Sequence, residues 1–402
     1  MKIAGIIAEY NPFHNGHAHH IERTRAEKGG CEATHVVAVM SGHFVQRGEP
    51  ALLTKADRVK MALAGGVDVV LELPLPWALS SAETFARGGV SILNALGCVD
   101  TISFGSECGD VALLEKVADV MESDRFPSLL RYHLEGGIAF PEAQSRAVAE
   151  IAGDSIAALL SRPNNMLGIE YIKAIRQLAP SIQPFTVPRM GAEHDDMAPL
   201  GDTASAGFLR TVILSGKMLN AAPYMPRTVY RVLSDAAEDG HCPADTRRLE
   251  RGILSHLRRM SADELAACPG ISEGLHNRVK EATNTATTWE ELEQFIKTRR
   301  YPLTRIRRML WSAFLEIPRD LAKTAPPYVR VLGYSERGRE ILNKARESSA
   351  PLLGRASQAD RLTGVARQVW ELECRAADLY ALTLPKPFPC GAEYTTGMIR
   401  AE

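Results

Sequence analysis

The chain has 402 residues, 45% of them apolar and 24% charged, and a net charge of −1. That is the balance of an ordinary globular protein, which excludes a disordered or fibrous chain. No apolar run approaches the length of about 18 residues that a membrane-crossing helix needs. The N-terminus reaches an acidic residue at Glu9 without the basic, apolar and small-residue pattern of a signal peptide. Seven cysteines are scattered, odd in number and never spaced as CxxC. They read as reduced thiols in a cytoplasmic protein, not as a disulfide framework or a zinc site. With net charge so close to zero, any nucleic-acid binding must rest on a local basic patch.

Ile3–Ala8 is apolar and reads as a buried strand; Asn11-Pro12 follows, and a helical stretch starts at about Gly16 and runs through His20 and Ile21. His35–Met40 is a second strand, ending at Ser41-Gly42. Ala56–Ala64 has helical spacing and stops at Gly65-Gly66. Val67–Leu73 is a third strand ended by Pro74, residues 81–96 are helical, and Thr101–Phe104 is a fourth strand running into Gly105. Strands separated by helices of this length imply parallel βαβ units with right-handed crossovers, so the expected fold is α/β, a doubly wound Rossmann-like sheet. Ligands in such sheets lie beyond the carboxyl ends of the strands. The polar segments Glu9–His17, Ser41–Glu49 and Gly105–Asp110 all fall there.

From about 111 to 180 the chain reads as mostly helical, with breaks at Pro127, Gly136-Gly137 and Pro163-Asn164-Asn165. Gln183–Val187 is a further strand and Thr203–Ser215 a helix. After Asn220–Pro226 the pattern becomes long charged helices, broken at Cys268-Pro269-Gly270 and Pro326-Pro327. We place a boundary near 220, giving an α/β domain over 1–220 and a mainly helical region over 221–402.

The chemistry concentrates in Tyr10-Asn11-Pro12-Phe13-His14-Asn15-Gly16-His17. A helix N-terminus presents backbone N–H groups to an anion. Two imidazoles around a glycine can aim at one point, where donors count most as charge builds up on a phosphate. A helical metal pair or plain surface histidines are the competing readings. For His19 and His20, beyond the motif, the plainer role is a solvated helix face or local packing. Ser41, Gly42, Arg47 and Lys55 form a glycine-punctuated loop with cations suited to a polyphosphate or carboxylate; a loop of solvated charges fits equally well. Gly105 would let an adenine or ribose lie against the backbone; a simple strand-to-helix turn fits about equally well. Asn164 and Asn165 open a helix, where one can cap and the other reach a ligand with Arg189. Ser205 and Arg210 match, loosely, a phosphate-binding Ser-then-Arg at a helix start; a cap followed by a solvated Arg explains them more simply.

His-x-Gly-His after a first strand resembles the signature of the nucleotidylyltransferase superfamily, which also includes class I aminoacyl-tRNA synthetases. The ordered set EYNPFHNGH, SGHFVQRGEPA, FGSE, PNNMLGIEY and TASAGFLR, with a helical extension, is similar to the bacterial tRNA(Met) cytidine acetate ligase family along nearly the whole chain. The resemblance implies a two-step reaction: acetate attacks the α-phosphate of ATP to give acetyl-adenylate, and the acetyl group then passes to N4 of the wobble cytidine of elongator tRNA(Met). It implies His14 and His17 as catalytic residues, and an ATP site built from Ile7, Ala8, Glu9, Tyr10, Asn11, Pro12, Phe13, His14, Asn15, Gly16, His17, Ala18, His19, His20, Gly105, Asn164, Arg189 and Met190. Mg²⁺ is expected with ATP, with no protein-built metal cage. Acetate and the tRNA are the other expected partners.

Lys297, Arg299, Arg300, Arg305, Arg307 and Arg308 put six cations into twelve residues, with Tyr301 among them. This is the expected phosphate-backbone footprint for RNA, and Tyr301 either stacks on a base or lies in a core. A solvated helix face is the plainer alternative. Two rival functions remain at this stage: an adenylyltransferase acting on a small phosphorylated metabolite, which would need no basic extension, and a non-catalytic tRNA-binding protein, which would need no intact His-Asn-Gly-His.

Overall fold

The computed structural model describes residues 1–189, 199–272, 274–298, 301–345 and 350–401. In the first half the chain alternates strands and helices: β1 (Ile3–Ala8), α1 (Asn15–Arg25), β2 (His35–Ser41), a short hairpin β3 (Phe44–Val45) and β4 (Glu49–Pro50), α2 (Lys55–Ala64), β5 (Val69–Leu73), α3 (Leu75–Ala78), α4 (Ala82–Ala95) and β6 (Thr101–Ser106). Helices α5 (Val111–Met121), α6 (Phe126–Glu135), α7 (Phe140–Ala152), α8 (Asp154–Ala157) and α9 (Pro163–Leu178) lead to β7 (Gln183–Pro188) and α10 (Ala206–Leu214).

The second half is helical through α11 (Arg227–Glu238), α12 (Glu250–Arg259), α13 (Ala262–Ala266), α14 (Leu275–Thr285), α15 (Trp289–Ile296) and α16 (Leu303–Phe314). It then returns to the sheet with β8 (Val329–Tyr334), α17 (Gly338–Lys344), β9 (Leu352–Leu353), α18 (Gly364–Ala381), α19 (Ala392–Thr395) and β10 (Ile399–Arg400).

The sheet order is β10-β8-β5-β2-β1-β6-β7, with β9 beside β8. Pairings from β5 through β7 are parallel, as the helix-length spacing requires, whereas β8 runs antiparallel to β5. The expectation of a doubly wound α/β sheet therefore holds, with one departure. The region past 220 is not helical throughout, because β8 to β10 extend the sheet. Alternate strand residues point to opposite faces. Ile3, Val37, Val39, Val69 and Leu71 join one buried cluster with α4 and α9, and that cluster continues into Leu257, Trp289, Ile306, Trp311 and Trp370 of the later helices. Ile6, Val36, Ala38, Met40 and Val70 face the other way, onto Val59, Met61, Leu209, Val229 and Leu233. Among the described residues no helix is long and apolar enough to cross a membrane.

This topology leaves the ends of β1, β6 and β7 open at one edge of the sheet. The turn of the β3–β4 hairpin meets the second half there. Gly48 has φ +78, and a Cβ at that position would lie 2.5 Å from Arg307 Cβ and 2.6 Å from the Arg308 amide. Only glycine allows the hairpin to lie flat on α16.

Candidate functional site

A cleft of about 590 Å³ opens at the carboxyl ends of β1, β6 and β7, the size range of small-molecule sites. Its floor is the turn into α1. His14 is the N-cap of that helix: its Nδ1 accepts from the Gly16 amide at 3.1 Å, while His17 Nδ1 accepts from the His14 amide at 3.2 Å. Histidines here do the work that Ser and Glu do in a capping box. Each Nδ1 is an acceptor, so in the neutral rings the proton sits on Nε2, which becomes a donor.

The two rings stack with centroids 3.8 Å apart and planes 28° from parallel. Tyr10 and Phe13 enclose His17, with centroids at 5.0 and 5.3 Å. Burial, followed by the positive neighbours His14 and Arg189, pushes the His17 pKa well below the ordinary value. His17 is therefore a neutral, directed donor near neutral pH. Gly16 has a steric reason: a Cβ there would lie 2.9 Å from His14 Cε1.

The walls are cationic. Arg47, Arg189, Arg210 and Arg308 line the cleft with His19 and His20, against Glu9 and Asp202. Burial raises the Glu9 pKa, opposed by Arg47 and Arg210. Burial and Arg305 hold Arg308 down at about 10, which leaves it charged. Such a surplus of positive charge in a recess suits a polyanion. An apolar end is formed by Phe85, Phe104, Leu167 and Tyr171. Among the described residues no group of three or more His, Cys, Asp or Glu side chains is placed to hold a metal ion.

The loop after β6 and the start of α9 clamp each other. Glu107 accepts from the Asn164 side chain at 2.6 Å and from the Asn165 amide at 2.7 Å, while Asn165 Oδ1 accepts from the amides of Glu107 and Cys108 at 3.0 Å each. Neither asparagine caps α9; the Glu107 carboxylate occupies that position, where the helix dipole favours an anion. Asn164 is left on the cleft wall, its Oδ1 3.5 Å from Arg189.

Of the residues expected at the site, Ile7, Ala8, Glu9, Tyr10, Asn11, His14, Asn15, Gly16, His17, His19, His20, Gly105, Asn164 and Arg189 line this cleft, and so do Arg47 and Arg210. Several others do not. Pro12 and Phe13 turn inward, and Phe13 is fully buried. Ala18 packs against the core on the far side of α1. Asn15 is in the cleft, but its amide is occupied by the carbonyls of Asp202 and Pro223. His20 donates or accepts at Ser103 Oγ, 2.9 Å away, in line with local packing. Ser41 and Gly42 lie under the hairpin, their carbonyls accepting from Arg58. Lys55 is buried in an ion-pair network with Glu72 at 2.5 Å and Glu393 at 2.6 Å.

Ser205 is the cap of α10, accepting from the Phe208 amide. Arg210 is not a solvated cation: it pairs with Glu49 at 2.9 Å and donates to the Asn11 carbonyl at 2.9 Å. Met190, Arg299 and Arg300 lie outside the described residues.

The basic run of the second half is only partly a surface. Lys297 is exposed at the end of α15. Arg307 is held by Glu293 at 2.6 Å, and Arg305 lies over the Tyr301 ring at 5.0 Å. Tyr301 belongs to the core, which resolves its two readings. Arg308, expected on RNA, points into the cleft with Thr304. Gln46, Thr304, Phe104, Leu167, Tyr171 and Asp202 are cleft residues that the sequence reading missed. Their positions depend on chain crossings that no local pattern encodes.

The open α/β sheet with paired histidines at the start of its first helix defines a nucleotidyl transferase of the HIGH type. The family described as HIGH Nucleotidyl Transferase matches residues 1–391. The tRNA(Met) cytidine acetate ligase of Alkaliphilus metalliredigens is 39% identical over 96% of this chain and 95% of its own length. That of Acetivibrio thermocellus is 38% identical over 99% and 100%. Crystal structures of Thermotoga maritima TmcAL match with a TM-score of 0.94 at 30% identity for the apo form, covering 100% of this chain and 99% of that one, and with a TM-score of 0.92 at 29% identity for the form bound with alpha-thio ATP, with the same coverage. The chain belongs to the tRNA(Met) cytidine acetate ligase family.

Proposed function

We propose that this chain is an ATP-dependent ligase that joins acetate to N4 of the wobble cytidine of elongator tRNA(Met). In the first step an acetate oxygen attacks the α-phosphorus of ATP and pyrophosphate leaves. In the second the cytidine amine attacks the acetyl carbonyl, AMP leaves, and the amine proton is released. The single observation that carries the reading is the stacked His14–His17 pair, with both Nδ1 atoms accepting from backbone amides, which puts the proton of each neutral ring on Nε2. Donors fixed in this way stabilise charge on the phosphate with little reorganisation, so no protein nucleophile is needed. The relatives' names supply the acetate and the tRNA, and the alpha-thio ATP of the Thermotoga maritima protein supports the nucleotide.

In this reading Ile7–Asn11, His14–His17, His19, His20, Gly105, Asn164 and Arg189 hold ATP, and Met190 is assigned with them from family resemblance. Arg47, Arg210 and Arg308 balance the phosphates or the tRNA backbone. The tRNA body lies on the region after 220, in a cytoplasmic enzyme. Mg²⁺ fits as an ion carried in on the phosphates, with Glu9 and Asp202 the carboxylates of the cleft, because such ions keep much of their own water. The test is incubation with labelled acetate, ATP and total tRNA, then digestion to nucleosides. N4-acetylcytidine is the expected product. Acetate-dependent ATP–pyrophosphate exchange without labelled RNA would sustain the first step and remove the second; absence of both would sink the assignment.

A further inference from the structure

Lys55 leads away from the cleft to a second cavity of about 450 Å³, which shares no lining residue with the first. Its floor is a buried ionic network. Lys55 Nζ and Arg330 Nη1 each sit between Glu72 and Glu393, and Arg330 also lies over the Trp370 ring at 4.6 Å. Glu373 is buried beside the same two carboxylates. His43 joins this floor from the segment after β2. It is about 95% buried; burial first, then Lys55, disfavours its protonated form, and its Nδ1 has no hydrogen-bond partner among the described residues, with Glu393 Oε1 3.4 Å away. A buried nitrogen without a partner costs on the order of 1–3 kcal/mol. Here it lies against the Glu393 carboxylate at the cavity floor.

Above the floor the walls are apolar: Val59, Leu332, Leu353, Phe388, Met398 and Ile399. Arg355 stands exposed at the rim, and among the described residues its guanidinium has no ion-pair partner. The cavity thus offers an ion-paired floor, apolar walls and, at the mouth, a cation without an ion-pair partner among the described residues.

We propose that this cavity is a second ligand site, which takes a small amphipathic monocarboxylate with its apolar body between Val59 and Met398 and its carboxylate on Arg355. The volume suits a body of drug-fragment size. The site is separate from the cleft and does not rest on the function proposed above.

The probe is octanoate, titrated calorimetrically into the full chain, with octanol as its uncharged counterpart. Saturable octanoate binding, tighter than octanol, is expected. Arg355→Glu replaces the exposed cation and is expected to weaken octanoate by about tenfold or more, equivalent to about 1.4 kcal/mol. Thr396→Trp, at an exposed rim position, is expected to fill the mouth and abolish binding. Acetate-dependent ATP–pyrophosphate exchange, measured on each variant, checks that the cleft and fold are intact. No saturable binding, or binding that both variants leave unchanged, overturns the site. Binding lost in Thr396→Trp but untouched by Arg355→Glu overturns the carboxylate assignment. Octanoate that competes with acetate in the exchange assay overturns the separation of the two cavities.

Discussion

Arg308 donates from Nη1 to the backbone carbonyl of Gln46 across 2.9 Å, joining two positions 262 residues apart. Through it, and through the close contact at Gly48, α16 becomes a wall of the cleft opened by β1. Arg308 keeps its charge while giving one donor to the hairpin, and the rest of its guanidinium fork faces the cleft. A charge-assisted bond to phosphate contributes about 1.5–3 kcal/mol. Arg308→Ala is therefore expected to raise the KM for ATP roughly tenfold to a hundredfold in pyrophosphate exchange. An unchanged KM for ATP, with only the KM for tRNA raised, would move Arg308 from the nucleotide to the RNA.

His17→Ala removes both a cleft donor and half of a helix cap. The two losses have different sizes. Loss of a donor at developing charge costs on the order of 10²–10³ in rate, whereas loss of a cap costs about 1 kcal/mol of stability. Exchange should fall by that factor while the melting temperature drops by only a few degrees. Asparagine at the same position can restore part of the cap but not the ring's reach, so the His17→Asn protein should melt nearer the wild type and stay inactive. Recovery of activity together with stability would mean that the ring acts only as a cap.

What could be read from the sequence was local. His14, Gly16 and His17 announce themselves because a strand, a turn and a helix start are written in consecutive residues, and the structure assembles them as read. Lys55 misled because composition shows a cation near a glycine loop but not its partner Glu393, which lies 338 positions away. Arg307 reads as surface, and Tyr301 stays open between a base and a core, for the same reason: the carboxylate and the core that hold them come from other helices. β8 was lost in a helical region because a six-residue strand gives little periodicity and pairs with β5 across a long crossing. Tertiary partners decide such cases, and residue spacing does not carry them.

Acid should weaken the fold in a specific window. His17 and His43 are held well below the ordinary histidine value, mainly by burial, and His20 is lowered to about 4. A histidine kept neutral in the fold contributes its stability in full above the unfolded value of about 6.5. Below that the unfolded chain takes up the proton and the fold does not, so stability is lost as pH falls from about 6.5 toward 4. Each such group steepens the decline by up to about 1.4 kcal/mol per pH unit. Urea unfolding across this range should show a slope that His20→Asn reduces by close to one proton. An identical slope in that variant would mean that His20 becomes protonated without loss of fold.

Glu373 is predicted to be a carboxyl group whose charge the fold resists. It is buried beside Glu72 and Glu393, and burial with those like charges pushes its pKa upward; Lys55 and the Leu75 amide, which donates to its Oε1, oppose the shift only partly. A group with a raised folded value contributes stability that is present below its unfolded value of about 4.3 and is lost as pH rises toward the folded one. Near neutral pH the wild-type chain has therefore already given up part of that stability. Glutamine keeps an oxygen for the Leu75 amide and carries no charge, so Glu373→Gln should raise the melting temperature at pH 8 and leave it nearly unchanged at pH 4. Destabilisation at both pH values would show instead that the Glu373 anion is required, as a fixed partner for Lys55.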